Sequence, residues 1–182
     1  MEHYYIGVDV GGTKIAFGLF DKEHRLIARS RIPSDREIDG PKLSALLLRQ
    51  CDLLLETANV PKAQLSGIGV AMPSYILQKE GRILKTSNLP NIRDFPMRDY
   101  LSCRTAAEVR LENDGNAAAL AEFHQGAGRG FEDMLYCPVS TGCSSAIVIN
   151  GHIFHGSYGW AGESGHALIT PGEGPYCGCE NQ

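Results

Sequence analysis

The sequence predicts an α/β protein made of two similar lobes, and three observations lead to this prediction. Apolar segments of strand length alternate with segments that repeat apolar residues at helical spacing. A pattern of strand, glycine turn and strand occurs at residues 5–20 and again at 134–149, which indicates an internal duplication with a cleft between the halves. At 106–123 a predicted strand ends where a predicted helix begins, and α/β folds place ligand crevices at such junctions.

Composition excludes several classes of protein. The 182 residues are 43% hydrophobic and carry a net charge of -4, so we expect a globular core and no polyanion-binding surface. No run of basic residues interleaves with aromatic ones, and nucleic acid is therefore not an expected partner. The chain shows neither an export signal nor an apolar run of membrane-spanning length, which predicts a cytoplasmic protein without a membrane partner.

The six cysteines are expected to be reduced thiols, because no export signal accompanies them and their spacing is uneven. Cys177 and Cys179 are separated by a single residue. That spacing suits joint capture of a metal better than a mutual disulfide, which would be strained.

The predicted elements of the first half form a βββαβαβ unit. Asp39 or Ser44 is the expected cap of its long helix, and the unbroken apolar character of its fourth strand predicts burial on both faces. The elements are a hairpin at 4–20, a strand at 26–32, a helix at 43–58, a strand at 65–72, a short hairpin at 75–84, a short helix at 94–103, a strand at 106–111 and a helix at 117–123.

The second half begins as the first does. A strand is predicted at 134–140, a small-residue turn at 141–144 and a strand at 145–149. Asn150-Gly151 is a strong hairpin signal into a further strand at 152–154.

The first glycine turn carries residues that suit phosphate chemistry. Gly11 and Gly12 let backbone N–H groups approach a phosphate closely, Thr13 adds a hydroxyl donor next to Lys14, and Asp9 can hold Mg²⁺ directly or through water. The spacing is not that of a Walker A loop. An ordinary Gly-Gly hairpin remains the alternative.

The strand-to-helix junction concentrates polar side chains at Asn113, Asp114 and Asn116. A helix N-terminus presents unpaired N–H groups there, so a ligand site is one interpretation. The other is that Asp114 or Asn116 serves only as the N-cap of the helix.

Four motifs, in their order and spacing, resemble the ROK family of sugar kinases and sugar-responsive repressors, and the similarity covers nearly the whole chain. The resemblance implies the actin-like (ribonuclease H-like) ATPase fold, with residues 1–115 as the first lobe and 116–182 as the first part of the second. The motifs are Asp9-Val10-Gly11-Gly12-Thr13-Lys14, the run from Glu112 to Glu122, Gly162-Glu163-Ser164-Gly165-His166 and Cys177-Gly178-Cys179.

The resemblance also implies roles for single residues. Asp114 matches the catalytic base, which takes the proton from a sugar hydroxyl, usually O6, as that oxygen attacks the γ-phosphate of ATP. Asn113 matches a contact to a sugar hydroxyl, and Glu163 and His166 match a pair that binds further hydroxyls. Ser74 and Asn88 lie where the family lines its sugar pocket.

The family's two phosphate loops correspond to residues 11–14 and to Thr141 and Gly142. Kinases of the family continue the second loop with glycines, whereas this chain continues it with Cys143-Ser144-Ser145-Ala146. Serine and alanine are small enough for the loop to approach a phosphate, but they adopt positive φ less readily than glycine.

His166, Cys177 and Cys179 match three of the family's four ligands for a structural Zn²⁺. The fourth, a cysteine, would fall just beyond Gln182. A closed tetrahedral site needs four ligands. The alternative is a hydrogen-bonded histidine and two buried thiols.

The resemblance leaves three functions open. An ATP-dependent hexose or N-acetylhexosamine kinase is favoured; a sugar-responsive repressor is disfavoured because such proteins carry a winged helix-turn-helix in front, and a catalytically idle sugar binder is the third. The particular sugar is not readable, although glucose is the first expectation. Family members continue beyond the equivalent of Gln182, so we expect these 182 residues alone to lack appreciable kinase activity. A homodimer is possible.

Overall fold

A computed structural model describes residues 2–139 and 142–167 of the chain. The chain divides into two compact units, Met1–Ala117 and Ala118–Gln182. The predicted boundary between lobes at 115/116 stays a prediction. The two compact units are a property of this chain and do not show where the lobes of a complete protein begin and end.

The first unit is built on a five-stranded mixed sheet in the order β3-β2-β1-β4-β8. The first three strands form an antiparallel meander, and β1, β4 and β8 run parallel to one another. The strands are β1 (Tyr4–Val10), β2 (Lys14–Asp21), β3 (Leu26–Pro33), β4 (Leu65–Met72) and β8 (Glu108–Asn113). The order confirms the predicted meander and the two crossovers that follow it.

Two helices cover one face of this sheet. Helix α1 (Gly40–Thr57) begins at Asp39, whose carboxylate accepts a hydrogen bond from the Lys42 N–H at 2.8 Å, so Asp39 is the cap. Ser44 lies inside the helix and donates to the Gly40 carbonyl. Helix α2 (Met97–Ser102) is shorter than predicted, because β7 (Arg93–Phe95) takes up the start of the predicted helix.

A small three-stranded sheet lies within the crossover from β4 to β8. Its order is β5-β6-β7, formed by β5 (Ser74–Leu77), β6 (Arg82–Thr86) and β7. The hairpin of β5 and β6 was predicted, whereas β7 has only three residues and no apolar alternation that could have revealed it.

The other face of the five-stranded sheet is open, and it holds a groove of about 500 Å³. Three glycines face one another across neighbouring strands on its floor: Gly18 pairs with Gly7, and Gly7 pairs with Gly69. The prediction that β4 is buried on both faces is therefore wrong. Ile68 and Val70 are buried under the helices, but Gly69 between them is exposed.

Cys51 lies in the core beneath α1, where its side chain is 1% exposed. Burial raises the pKa of this thiol to about 12. The described cysteines 51, 103, 137 and 143 are all free thiols, as predicted.

The second unit is smaller. Helix α3 (Asp114–Gln125) leads into it from β8, and its antiparallel sheet has the order β11-β10-β9. The strands are β9 (Met134–Tyr136), β10 (Ala146–Ile149) and β11 (His152–Ile153). Asn150 and Gly151 have φ of 50° and 76°, which confirms the predicted two-residue hairpin.

Within 2–139 and 142–167, none of the helices has both the length and the apolar character to cross a bilayer.

Candidate functional site

The parallel strands β1, β4 and β8 end at one edge of the large sheet, and the polar side chains singled out in the first unit lie there. Asp9 is the penultimate residue of β1, and it pairs with Ala71 of β4, which pairs in turn with Glu112 of β8. Because the carboxyl ends of parallel strands form the ligand crevice of open α/β sheets, this edge is the candidate active site.

Asn113 is the residue that caps helix α3. Its Oδ1 accepts hydrogen bonds from the N–H groups of Gly115 at 2.8 Å and Asn116 at 3.3 Å, the second and third residues of the helix. The alternatives that Asp114 or Asn116 forms the cap are therefore wrong. With its oxygen used in this way, the Asn113 amide has its NH₂ group left for other contacts, and Nδ2 lies 3.5 Å from the Ser74 carbonyl.

Asp114 is the first residue of α3, and part of its surface is accessible to solvent. Partial burial raises the pKa of its carboxyl, and the negative charge of Asp9 raises that pKa further. The Gly115 N–H, 3.1 Å from Oδ1, opposes the shift by stabilising the carboxylate. The net effect is a raised pKa. A carboxylate whose pKa lies above the usual range is a better proton acceptor than an ordinary aspartate.

Glu112 joins the end of β8 to the start of α3 and to the small sheet. One of its oxygens, Oε1, accepts three hydrogen bonds: from the Asn113 N–H at 2.9 Å, from Asn116 Nδ2 at 3.0 Å and from Gln78 Nε2 at 3.2 Å. Asn116 itself is buried, with 6% of its surface exposed. The carboxylate thus holds both residues that flank Asp114 and Gly115 in the chain.

The first glycine turn is closed by a backbone hydrogen bond and leaves little room for a side chain at Gly12. The Gly11 N–H donates to the Lys14 carbonyl at 2.9 Å, and a Cβ on Gly12 would lie 3.1 Å from the side chain of Asn88. The turn therefore packs directly against the residue predicted to line the sugar pocket. Thr13 and Lys14 are exposed beside it.

Ser74 lies at the same edge but is buried, and its hydroxyl donates to the Met72 carbonyl at 3.1 Å. Any contact from this side chain to a ligand would therefore use Oγ as an acceptor.

In the second unit, Glu163 and His166 lie together at a short 3₁₀ turn formed by Ser164–His166. His166 Nε2 and Glu163 Oε2 are 3.8 Å apart. Gly162, just before this turn, has φ of 97° and packs against the Ser145 carbonyl, so a side chain at 162 would be both strained and obstructed.

The serine at 145, where relatives are expected to carry glycine, has a structural partner. Its N–H and its hydroxyl both donate to the Gly162 carbonyl, at 2.7 Å and 2.8 Å. These two hydrogen bonds connect Ser145, which follows the second predicted phosphate loop, to the segment that carries Glu163. Gly142 of that loop is exposed, whereas Thr141 lies outside the described residues.

The predicted zinc ligands are only partly covered. His166 is described and exposed, whereas Cys177 and Cys179 lie outside the described residues. Among residues 2–139 and 142–167, no group of three or more His, Cys, Asp or Glu could hold a metal ion. The zinc site stays a prediction.

Sequence analysis missed the roles of Glu112 and Gln78. The signal for Glu112 was available, because alternation along β8 places it on the face of Glu108 and Arg110, and residue 116 is four positions further on. No sequence signal indicated Gln78, since its contact to Glu112 joins residues 34 positions apart.

The chain is similar to proteins of one family over nearly its whole length. The model of the ROK family matches residues 5–182. A glucokinase of Halalkalibacterium halodurans is 36% identical over 178 residues, which are 98% of this chain and 54% of that protein. An N-acetylmannosamine kinase of Salmonella arizonae is 34% identical, with 96% of this chain and 57% of that protein covered.

Solved structures agree with the sequence comparison. The ROK hexokinase of Thermus thermophilus has a TM-score of 0.84 and 39% identity, covering 98% of this chain and 57% of that one. A ROK family glucokinase of Streptomyces griseus, solved with glucose and AMPPNP, has a TM-score of 0.83 and 30% identity, covering 98% of this chain and 55% of that one. The chain therefore has the predicted actin-like ATPase fold, and it spans about half the length of the relatives it matches.

Proposed function

Because the chain belongs to the ROK family, we propose that the complete gene product is a sugar kinase that transfers the γ-phosphate of ATP to O6 of a hexose or N-acetylhexosamine, with Asp114 as general base. The observation that carries the proposal is the position of Asp114. It stands at the first turn of α3, at the edge where three parallel strands end, with a raised carboxyl pKa. Relatives named glucokinase, N-acetylmannosamine kinase and N-acetyl-D-glucosamine kinase support the substrate class.

In the proposed reaction, the protein contributes mainly by positioning the reacting groups and stabilising charge. The side chain of Asp114 orients the sugar hydroxyl and accepts its proton as the oxygen attacks phosphorus. The Asn113 amide, whose oxygen is used by the helix, donates Nδ2–H to a neighbouring hydroxyl. We propose that Glu163, His166, Asn88 and Ser74 bind further hydroxyls of the same sugar.

The nucleotide phosphates are proposed to lie against the turn of Gly11, Gly12, Thr13 and Lys14 and against the loop of Thr141 and Gly142. Asp9 is an exposed hard oxygen donor at the end of β1, the kind of ligand that Mg²⁺ takes beside phosphates. When bound there, Mg²⁺ supplies charge neutralisation on the phosphate oxygens. The zinc site of His166, Cys177 and Cys179 is proposed only as a stabilising element.

The test compares the wild-type complete gene product with Asp114→Asn. We expect ATP-dependent phosphorylation in the wild type and a decrease in kcat of about 10²-fold or more in the variant, with sugar affinity retained. A calorimetric titration with glucose, N-acetylglucosamine and N-acetylmannosamine measures the affinity and identifies the preferred sugar. Undiminished turnover in Asp114→Asn contradicts the assignment of the base. A wild type that binds sugar without turnover identifies a sugar-binding protein instead.

The pH profile gives a second readout. Because the base must be deprotonated, kcat/KM falls as the pH is lowered through the pKa of Asp114 in the free enzyme. The raised pKa places this acid limb above the pH at which an ordinary aspartate titrates. The limb is expected to be lost in Asp114→Asn.

A further inference from the structure

Glu112 lies next to the residues of the proposed active site, and the proposed function gives no role to its hydrogen bonds. It lies on the same strand and the same face as Glu108, two alternations along β8. Glu108 is exposed and pairs with Arg110 at 2.8 Å on the sheet surface. The Glu112 side chain turns instead to the junction with α3, where Oε1 accepts its three hydrogen bonds.

The three donors come from three different parts of the first unit. The Asn113 N–H belongs to the cap residue of α3, Asn116 Nδ2 belongs to the first turn of α3, and Gln78 Nε2 belongs to the turn between β5 and β6. A second tie between the same elements is the contact of Asn113 Nδ2 with the Ser74 carbonyl of β5. The carboxylate is therefore shared by the strand, the helix and the small sheet.

The geometry of these bonds constrains Asp114. The N–H of Asn113 and the side chain of Asn116 are both held by one oxygen, and the N–H groups of Gly115 and Asn116 are held by Asn113 Oδ1. The backbone from 113 to 116 is thus fixed at both ends, with Asp114 between the fixed points. A side chain on such a segment has little freedom to change its direction.

We propose that Glu112 is a positioning residue, whose carboxylate sets the direction of the Asp114 carboxylate and of the Asn113 amide and couples both to the β5–β6 turn. This inference rests on the proposed function. Glu112 itself is not expected to contact sugar or nucleotide. Its effect comes from orientation, and misplacement of a reacting group by about 1 Å can lower a rate by about 10²-fold.

The experiment uses the complete gene product with three substitutions. Glu112→Ala removes the shared acceptor, Glu112→Gln keeps an oxygen of the same reach without the charge, and Glu108→Gln is the matched control on the same strand and face. For each variant, kcat, the KM for sugar, the KM for ATP and the urea unfolding midpoint are measured at a temperature where the protein is folded.

We expect Glu112→Ala to lower kcat by about 10-fold to 100-fold and to raise the KM for sugar, with the KM for ATP within about 2-fold of the wild type. Glu112→Gln should recover most of the lost kcat, since an amide oxygen can accept the same bonds. Glu108→Gln should match the wild type. A merely structural role predicts a lower unfolding midpoint with unchanged kcat per folded molecule.

The outcomes separate two failures. If the wild type is active and Glu112→Ala turns over equally well, the inference is overturned and the kinase proposal stands. If Glu112→Gln is as impaired as Glu112→Ala, an acceptor oxygen is not what matters, and the inference is overturned as well. If the wild type phosphorylates no hexose, the proposed function fails, and the inference fails with it.

Discussion

The two units of the chain differ in how much of their apolar surface is buried. In the first unit, twenty-five buried apolar side chains form one continuous core between the sheet and its helices. In the described part of the second unit, the buried apolar residues are Ala119, Ala146 and Val148. The first unit therefore has a core of the size expected for an independent domain, whereas the described part of the second has only a small one.

More large apolar side chains are exposed in the described part of the second unit than in the first unit. The second unit exposes Phe131, Leu135, Val139, Ile149, Phe154, Tyr158 and Trp160, whereas the first exposes Tyr5, Leu26, Ile27 and Leu53. Among the described residues, most of the buried apolar surface therefore lies in the first unit. The residues proposed to bind sugar from the second unit, Glu163 and His166, lie on a scaffold with much less buried support.

The largest expected effect is in the core of the first unit. Leu47 on α1 is 1% exposed, and Leu47→Ala is expected to lower the free energy of unfolding by about 2–5 kcal/mol through the lost burial and the resulting cavity. Urea unfolding followed by far-UV circular dichroism measures the change. Leu53→Ala is the matched control, since Leu53 is on the same helix and 43% exposed. Equal effects of the two substitutions contradict the described core.

The buried thiol of Cys51 predicts a pH dependence that belongs to the first unit. Its pKa is about 12 in the folded protein against 9.0 ordinarily, so the folded state keeps a proton that the unfolded state loses. This contribution to stability is fully present below pH 9 and is lost as the pH rises towards 12. It amounts to at most about 4 kcal/mol, from three pKa units.

Unfolding midpoints measured from pH 8 to pH 11 test this prediction. Cys51→Ala should show a weaker decline with pH than the wild type, because the variant has no thiol to titrate at that position. Cys103→Ala, which removes an exposed thiol, should decline as the wild type does. Parallel profiles for the wild type and Cys51→Ala would show that the thiol is not protected in the folded state.

A smaller effect is expected in the second unit. Val148 is 1% exposed, and Val148→Ala should lower the free energy of unfolding by about 1–3 kcal/mol. Few other buried apolar groups support this part of the chain. The single tryptophan, Trp160, lies in this unit, so its fluorescence follows the local transition. Ile149→Ala is the neighbouring control, with a side chain 43% exposed.

We expect Val148→Ala to shift the Trp160 transition while the circular dichroism transition stays in place. If both transitions shift by the same amount, the two units unfold as one cooperative structure, and the difference between their cores does not govern unfolding.

Most strands and helices of the first unit could be predicted because they have strong local signals. Alternating apolar residues mark β1 and β2, and the 3.6-residue period marks α1, whereas the sequence left the cap of α1 open between Asp39 and Ser44. Strand β7 could not be predicted, because its pairing partner rather than its own sequence defines it.

The candidate site could be predicted only in part, because some of its features depend on the backbone rather than on the local sequence. Asp114 and Asn113 could be placed from the junction of strand and helix. The choice of Asn113 as the cap depends on backbone angles that the sequence of polar residues around the junction leaves open. The exposed face of β4 could not be predicted either, since the sequence shows an apolar strand and not what covers it.

The double use of Asn113 limits how such a protein can be redesigned or can diverge. An amide that closes a helix with its oxygen and, in the proposed function, binds the sugar with its nitrogen cannot be replaced without also loosening the turn that carries Asp114. Changes of selectivity are therefore easier to obtain from side chains that serve the ligand alone.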